Sequence, residues 1–333
     1  MRAVVRDVDG EVRLVHDYPS PPVMPDGALV RVRRTAITRT DLEVAHGYRT
    51  HAGPLGLAFV GYVQETGSAD KALVGARVTG ELNFGCGGPL CQTFGEDHCP
   101  NRFVLGIAQL NCPYTPNWTP VGGAMSDYVS LPLRNLHRLP DGMTDGDGVF
   151  VELVAAAMRI LEQVHVQPTD RVAIVGDGPF GFVIAQVLRL PGSEVTAVGK
   201  YGDKLACFAE QGIDTIHSED PVDGYFDITV DCTGSPSGLN WALAHTRPKG
   251  TVVMKNTVRA HGDEIDLARA VVDEISLVSS RSGPFQPAIR TMLRGSVVGE
   301  PFVSHTVDIE DAIKGLALAS SKGVRRVDIT LDD

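Results

Sequence analysis

The chain has 333 residues, 43% hydrophobic and 21% charged, enough for two domains with ordinary buried cores. Lys and Arg total 30 against 41 Asp and Glu, and the formal charge of −11 with no concentrated cationic run argues against a nucleic-acid partner. The opening Met1-Arg-Ala-Val-Val-Arg6 lacks the apolar core of a signal peptide, and no run of about 20 apolar residues occurs, so a cytoplasmic protein without a membrane span is expected.

The first 140 residues read as β-rich. Short alternating or β-branched runs at 3–5, 28–32, 59–64 and 128–131 lie between Gly/Pro turns. Residues 82–126, rich in Gly, Pro, Cys and Asn, predict a long excursion of loops. Four of the six cysteines fall between Cys86 and Cys112, a clustering that points to a metal site, past or present, before disulfides.

The texture changes near Pro140. A helical pattern at 152–164 leads through a turn to the strand 171–175, apolar enough to be buried on both faces. A helix over 176–190 follows, with Phe180, Val183, Ile184, Val187 and Leu188 on one stripe. Strands at 194–198, 226–231 and 251–254 alternate with helices at 203–211 and 236–245. Repeated βα units predict an α/β fold with a doubly wound parallel sheet. After Gly283 the chain leaves this pattern, ending in a strand-like run at 326–331.

Gly176-Asp-Gly178-Pro179-Phe180-Gly181 is a G-x-G-x-x-G motif that closes a predicted strand and opens a predicted helix, the context dinucleotide binding requires. The first glycine permits the turn, the second admits the pyrophosphate, and the third brings helix against strand. NAD-preferring sites usually end the next strand with an acid that takes the ribose 2′-hydroxyl. Here that strand ends Val198-Gly199-Lys200-Tyr201. Gly199 brings no carboxylate, Lys200 can pair with a 2′-phosphate and Tyr201 can cover the adenine, so NADPH is the expected cofactor.

These stretches, with Ile37-Thr38-Arg39-Thr40-Asp41, Gly56–Gly61, Cys86–Pro100, Val151-Glu152 and Asp231-Cys-Thr233-Gly234, occur in an order that resembles the medium-chain dehydrogenase/reductases of the zinc alcohol dehydrogenase type. The resemblance spans nearly the whole chain. It implies a GroES-like β-rich catalytic domain (1–140 and 284–333), a Rossmann domain (141–283) with Thr233 and Gly234 also at the cofactor, and an active site in the cleft between them. It further implies a homodimer.

The departures from the family pattern concern metal. Zinc members carry a cysteine where this chain has Thr38, and read Gly-His-Glu where it has Gly56-Leu57-Ala58. Glu152, at an acidic position near the metal, survives. One carboxylate does not hold a catalytic Zn²⁺, which takes about three protein ligands, so no catalytic zinc is expected. In the structural-zinc lobe Cys86, Cys91 and Cys99 remain in a loop one residue short, with the second ligand missing. Either three orphan thiols or a degenerate zinc site completed by Asp97 or His98 would account for them.

Without metal, conjugate reduction of an activated alkene is less demanding than carbonyl reduction, because charge delocalises into an enolate. The resemblance places Thr40 at the proton-relay position and Arg39 at a pyrophosphate-binding one. Thr38 would offer a hydroxyl to the old metal pocket, with Tyr48 and Glu152 as further acid or base candidates. Leu57 and Ala58 would enlarge and dry that pocket, in keeping with a bulky apolar substrate. The expected activity is therefore a zinc-independent, NADPH-dependent reductase of a biosynthetic metabolite, acting on C=C before C=O, with reductive cyclisation as a variant. A polyol dehydrogenase using unrecognised zinc ligands and a non-catalytic NADPH-binding sensor are the alternatives.

Overall fold

The computed structural model describes residues 1–47, 51–67, 71–107, 122–257 and 264–331. Two compact units form, one from Met1–Phe150 with Val303–Asp333 and the other from Val151–Phe302. The chain passes between them at 150/151 and 302/303, rather than at 140/141 and 283/284.

In the first unit, alternating patterns give β1 (Gly27–Ile37), β2 (Phe59–Thr66), β3 (Arg77–Gly80), β4 (Tyr128–Pro132) and β5 (Leu136–Arg138). They join the C-terminal strands His305–Asp308 and Val327–Thr330 in a sheet ordered β5-β3-β2-β1-(Val327–Thr330)-(His305–Asp308), with β4 also on β1. Val30, Val32, Phe59, Val63, Val129 and Ile329 close its core. Within it Asp328, fully buried, accepts from Arg34 Nε at 2.8 Å and Arg326 Nε at 2.7 Å, so the last strand is locked to β1 by charge as well as by its ladder. Immediately after β1, Thr38 caps the helix α1 (Arg39–Ala45). The excursion expected at 82–126 carries the helix Pro89–Phe94 and a strand pair, Asn83–Phe84 with Phe103–Val104.

The second unit opens with α2 (Val151–Gln163) and then alternates β6 (Arg171–Val175), α3 (Pro179–Arg189), β7 (Glu194–Gly199), α4 (Gly202–Glu210), β8 (Asp214–His217), β9 (Phe226–Asp231), α5 (Pro236–His245), β10 (Thr246–Met254), β11 (Ser276–Ser279) and α6 (Phe285–Leu293). Every ladder is parallel, and the order β8-β7-β6-β9-β10-β11 is the doubly wound 3-2-1-4-5-6 arrangement. Val172, Ala173 and Ile174 on the central strand are fully buried, as a strand covered on both faces must be. Phe182, Phe208 and Phe302 form a ring cluster behind α3. Residues 285–293, expected in the catalytic domain, instead pack as α6 on α2, because Phe285, Ala288, Ile289 and Met292 form an apolar face that this unit buries. No helix among the described residues is long and apolar enough to cross a membrane.

Candidate functional site

The glycine motif sits at the carboxyl end of β6, where an open α/β sheet receives its ligand. Gly176 holds φ at +130°, a turn that L side chains rarely adopt. A Cβ on Gly181 would stand 2.0 Å from the Gly176 carbonyl oxygen, so only glycine lets α3 start so close to β6. A Cβ on Gly178 would meet nothing, which leaves space beside the loop. With Gly178 as N-cap and Pro179 first in the helix, α3 has no side-chain cap, and its first N–H groups suit a pyrophosphate. Phe180 is half-buried on the same loop. These residues fit a dinucleotide.

At the end of β7 the structure revises the sequence reading. Asp177, from inside the glycine motif, reaches across so that its Oδ2 accepts the Lys200 N–H at 2.7 Å and the Tyr201 N–H at 2.9 Å. A Cβ on Gly199 would lie 2.7 Å from that same oxygen. Gly199 therefore makes room for a carboxylate rather than removing one. Lys200 and Tyr201 are exposed beyond it, and Lys204 Nζ stands 5.0 Å from the Tyr201 ring centroid.

At the end of β9, Asp231 Oδ1 accepts from the Thr233 N–H and hydroxyl, so Thr233 shapes its own turn, and Gly234 follows with φ of +66°. Burial holds the Asp231 carboxyl above its ordinary range. Lys255, directly after β10, is 7% exposed and had no place in the sequence reading. Glu152 lies half-buried in the first turn of α2 and acts electrostatically on Lys255.

In the first unit, the Thr38 hydroxyl donates to Asp41 Oδ2 at 2.6 Å, and Asp41 also accepts the Thr38 N–H at 2.8 Å and the Gly56 N–H at 3.0 Å. That carboxylate ties the start of α1 to the segment that carries the buried Leu57. It also engages the Thr38 hydroxyl as its hydrogen-bond donor, so that hydroxyl serves the cap rather than standing as a free donor. Thr40 is half-buried two residues on, in the first turn of α1. Arg39 is exposed and pairs with Glu43 at 3.1 Å, an ordinary i,i+4 surface bridge. Tyr48 lies outside the described residues.

Cys86, Cys91 and Cys99 converge, with all three sulfurs within 4.8 Å of one another and separations of 3.7 Å for Cys86–Cys91 and 3.5 Å for Cys86–Cys99. Thiolates at about 2.3 Å from one tetrahedral zinc stand ~3.8 Å apart, so the spacing suits three of the four ligands of such an ion. Burial pushes the Cys99 thiol up, but hydrogen bonds with Cys91 and Cys86 outweigh it and hold it below its ordinary range. No other group of three or more His, Cys, Asp or Glu side chains among the described residues is arranged to hold a metal.

Residues 24–141 match the alcohol dehydrogenase GroES-like domain. Over 348 aligned positions the chain is 26% identical to the sorbitol dehydrogenase of Halalkalibacterium halodurans, covering 98% of each. The alcohol dehydrogenase TADH from Thermus sp. ATN1 superposes with a TM-score of 0.86 at 26% identity over 100% of both chains. A short chain alcohol dehydrogenase from E. coli CFT073, solved with NADH, does so at 0.87 and 21% over 99% of each, which shows the fold alone. A GroES-like β unit with a six-stranded dinucleotide-binding unit defines a two-domain oxidoreductase. Over its whole length the chain is thus similar to alcohol and polyol dehydrogenases built on this two-unit plan.

Proposed function

We propose that the protein is an NADPH-dependent reductase that delivers hydride to an activated C=C, or to a C=O, of a bulky metabolite without a catalytic zinc. The observation that carries this reading is Asp41, which accepts from the Thr38 hydroxyl and from the Gly56 N–H next to Leu57. The positions that ligate metal in zinc relatives are held in one cluster, yet present a committed hydroxyl and an apolar side chain. Leucine cannot ligate, and its burial in the unit's core leaves a dry wall suited to an apolar substrate.

Bound at the uncapped start of α3, the dinucleotide supplies the hydride. Lys200 and Lys204, flanking Tyr201 at the end of β7, support the 2′-phosphate form. The chain's own work is then orientation and proton supply. The Thr40 hydroxyl donates to the substrate oxygen, where one such donor is worth about 3 kcal/mol in the transition state. Glu152, which acts electrostatically on Lys255 in the second unit, is a proton source for the enolate carbon.

A second reading, NAD-dependent oxidation of an alcohol or polyol, is favoured by Asp177. Its carboxylate at the end of β7 is the group that would accept from a ribose 2′-hydroxyl. The sorbitol dehydrogenase relative is in keeping with it. Titration of the protein with NADPH and NADH, followed by enone and polyol screens at 340 nm, separates the two. The first reading expects NADPH to bind at least about tenfold tighter and enones to be reduced, with Asp177→Asn widening the preference as one repelling charge goes. Tighter NADH binding, with polyol oxidation weakened by Asp177→Asn, would establish the second instead.

A further inference from the structure

In a 3-2-1-4-5-6 sheet the dinucleotide lies across the switch point, and here the glycine loop, Lys200 and Tyr201 mark its adenosine half over β6 and β7. The nicotinamide half then passes over the carboxyl ends of β9 and β10. Lys255 stands there, its N–H held by the Asp231 carbonyl oxygen at 3.0 Å. Its Nζ donates to Ser280 Oγ at 2.9 Å and to the Arg281 carbonyl oxygen at 2.6 Å, and lies 5.6 Å from the centroid of the Phe180 ring. One side chain thus links the loop after β11 to the glycine loop.

A lysine this buried is costly to keep charged, and among the described residues both of its hydrogen-bond acceptors are neutral. Such a group at the ligand edge of a sheet is a marker of function. Packing or hydrogen bonding alone would be met by an uncharged side chain. An ammonium adds sensitivity to charge, and the nicotinamide ring is a cation when oxidised and neutral when reduced.

We propose that Lys255 is a discriminating residue for the nicotinamide end of the cofactor, its ammonium favouring the neutral reduced ring over the cationic oxidised one. This rests on the cofactor reading above, and it would let a reductase take up reduced cofactor and release the oxidised product. The groups that act electrostatically on Lys255 are Glu152 and Arg159 from α2 and Cys232 just after β9, and Cys232 is in turn acted on by Asp231. Burial pushes the lysine down to about 7, against opposing pulls from Cys232 and Glu152. The group is charged below that pH, so discrimination is present in acid and lost as pH rises through about 7.

The test is the ratio of dissociation constants for NADP⁺ and NADPH, and in parallel for NAD⁺ and NADH, by cofactor fluorescence and calorimetry at pH 6 and pH 9. The 2′-phosphate is common to both redox forms and cancels in the ratio. In the wild type the preference for the reduced form is expected to fall roughly tenfold from pH 6 to pH 9. Lys255→Met flattens that dependence, and Lys255→Arg, whose guanidinium stays charged, keeps the preference at both pH values. Should either variant fail to fold, the wild-type pH series decides alone. A pH-independent ratio in the wild type, or one unchanged in Lys255→Met, overturns the inference and leaves the cofactor reading standing. If neither redox form binds at any pH, the cofactor reading falls and this inference with it.

Discussion

Asp41 shows how one buried carboxylate can organise a site. It is 1% exposed, caps the start of α1 through Thr38 and holds the Gly56 backbone. Burial raises its pKa to about 6 from an ordinary 3.8, against the pull of its hydrogen bonds. In the window between those values the folded chain binds the proton more tightly than the unfolded chain. This group's contribution to stability therefore falls as pH rises from about 4 to about 6 and is flat above, by up to about 3 kcal/mol. Urea melts across that range, read as the difference between wild type and Asp41→Asn, should show this slope. A difference that stays level with pH would mean the carboxylate is ionised throughout. The motif containing Asp41 is plain in the sequence, but its role is not, because the partner on Gly56 lies 15 residues away.

At the level of elements, the buried strands and amphipathic helices of the second unit were legible. Residues 172–175 are apolar on both faces and Phe226–Asp231 is almost wholly buried because helices cover them, and Gly176–Gly181 marks the turn between strand and helix. The edge strands Asp214–His217 and Ser276–Ser279 were not legible. Their side chains are largely exposed, so no apolar pattern announces them, and neighbouring ladders alone define them. The close start of α3 yields a sharp expectation. Gly181→Ala places a methyl against the Gly176 carbonyl and must push the helix off β6. Overpacking of this kind typically costs about 1–3 kcal/mol, and the displaced N–H groups should weaken dinucleotide binding at least about tenfold. Thermal melts and fluorescence titration of the variant check both effects. Unchanged affinity would show that the pyrophosphate is held elsewhere.

For the molecule as a whole, metal content is the discriminating property. The converged thiols predict one zinc per chain by elemental analysis, and none in Cys99→Ser. Chelation should lower the melting temperature while leaving cofactor affinity unchanged, as befits an ion that holds a loop. Two zincs per chain would restore a catalytic metal and the polyol reading with it. Local pattern was enough to determine the alternation of strands and helices and the glycine turn, since each depends on residues close in sequence. Only the fold decided that Asp177 reaches Lys200 and Tyr201, that Lys255 meets Ser280 and Phe180, and that three cysteines share one point. Those contacts join residues far apart along the chain, most of them more than ten positions, and depend on how neighbouring strand ends and loops are brought side by side, which no local pattern encodes.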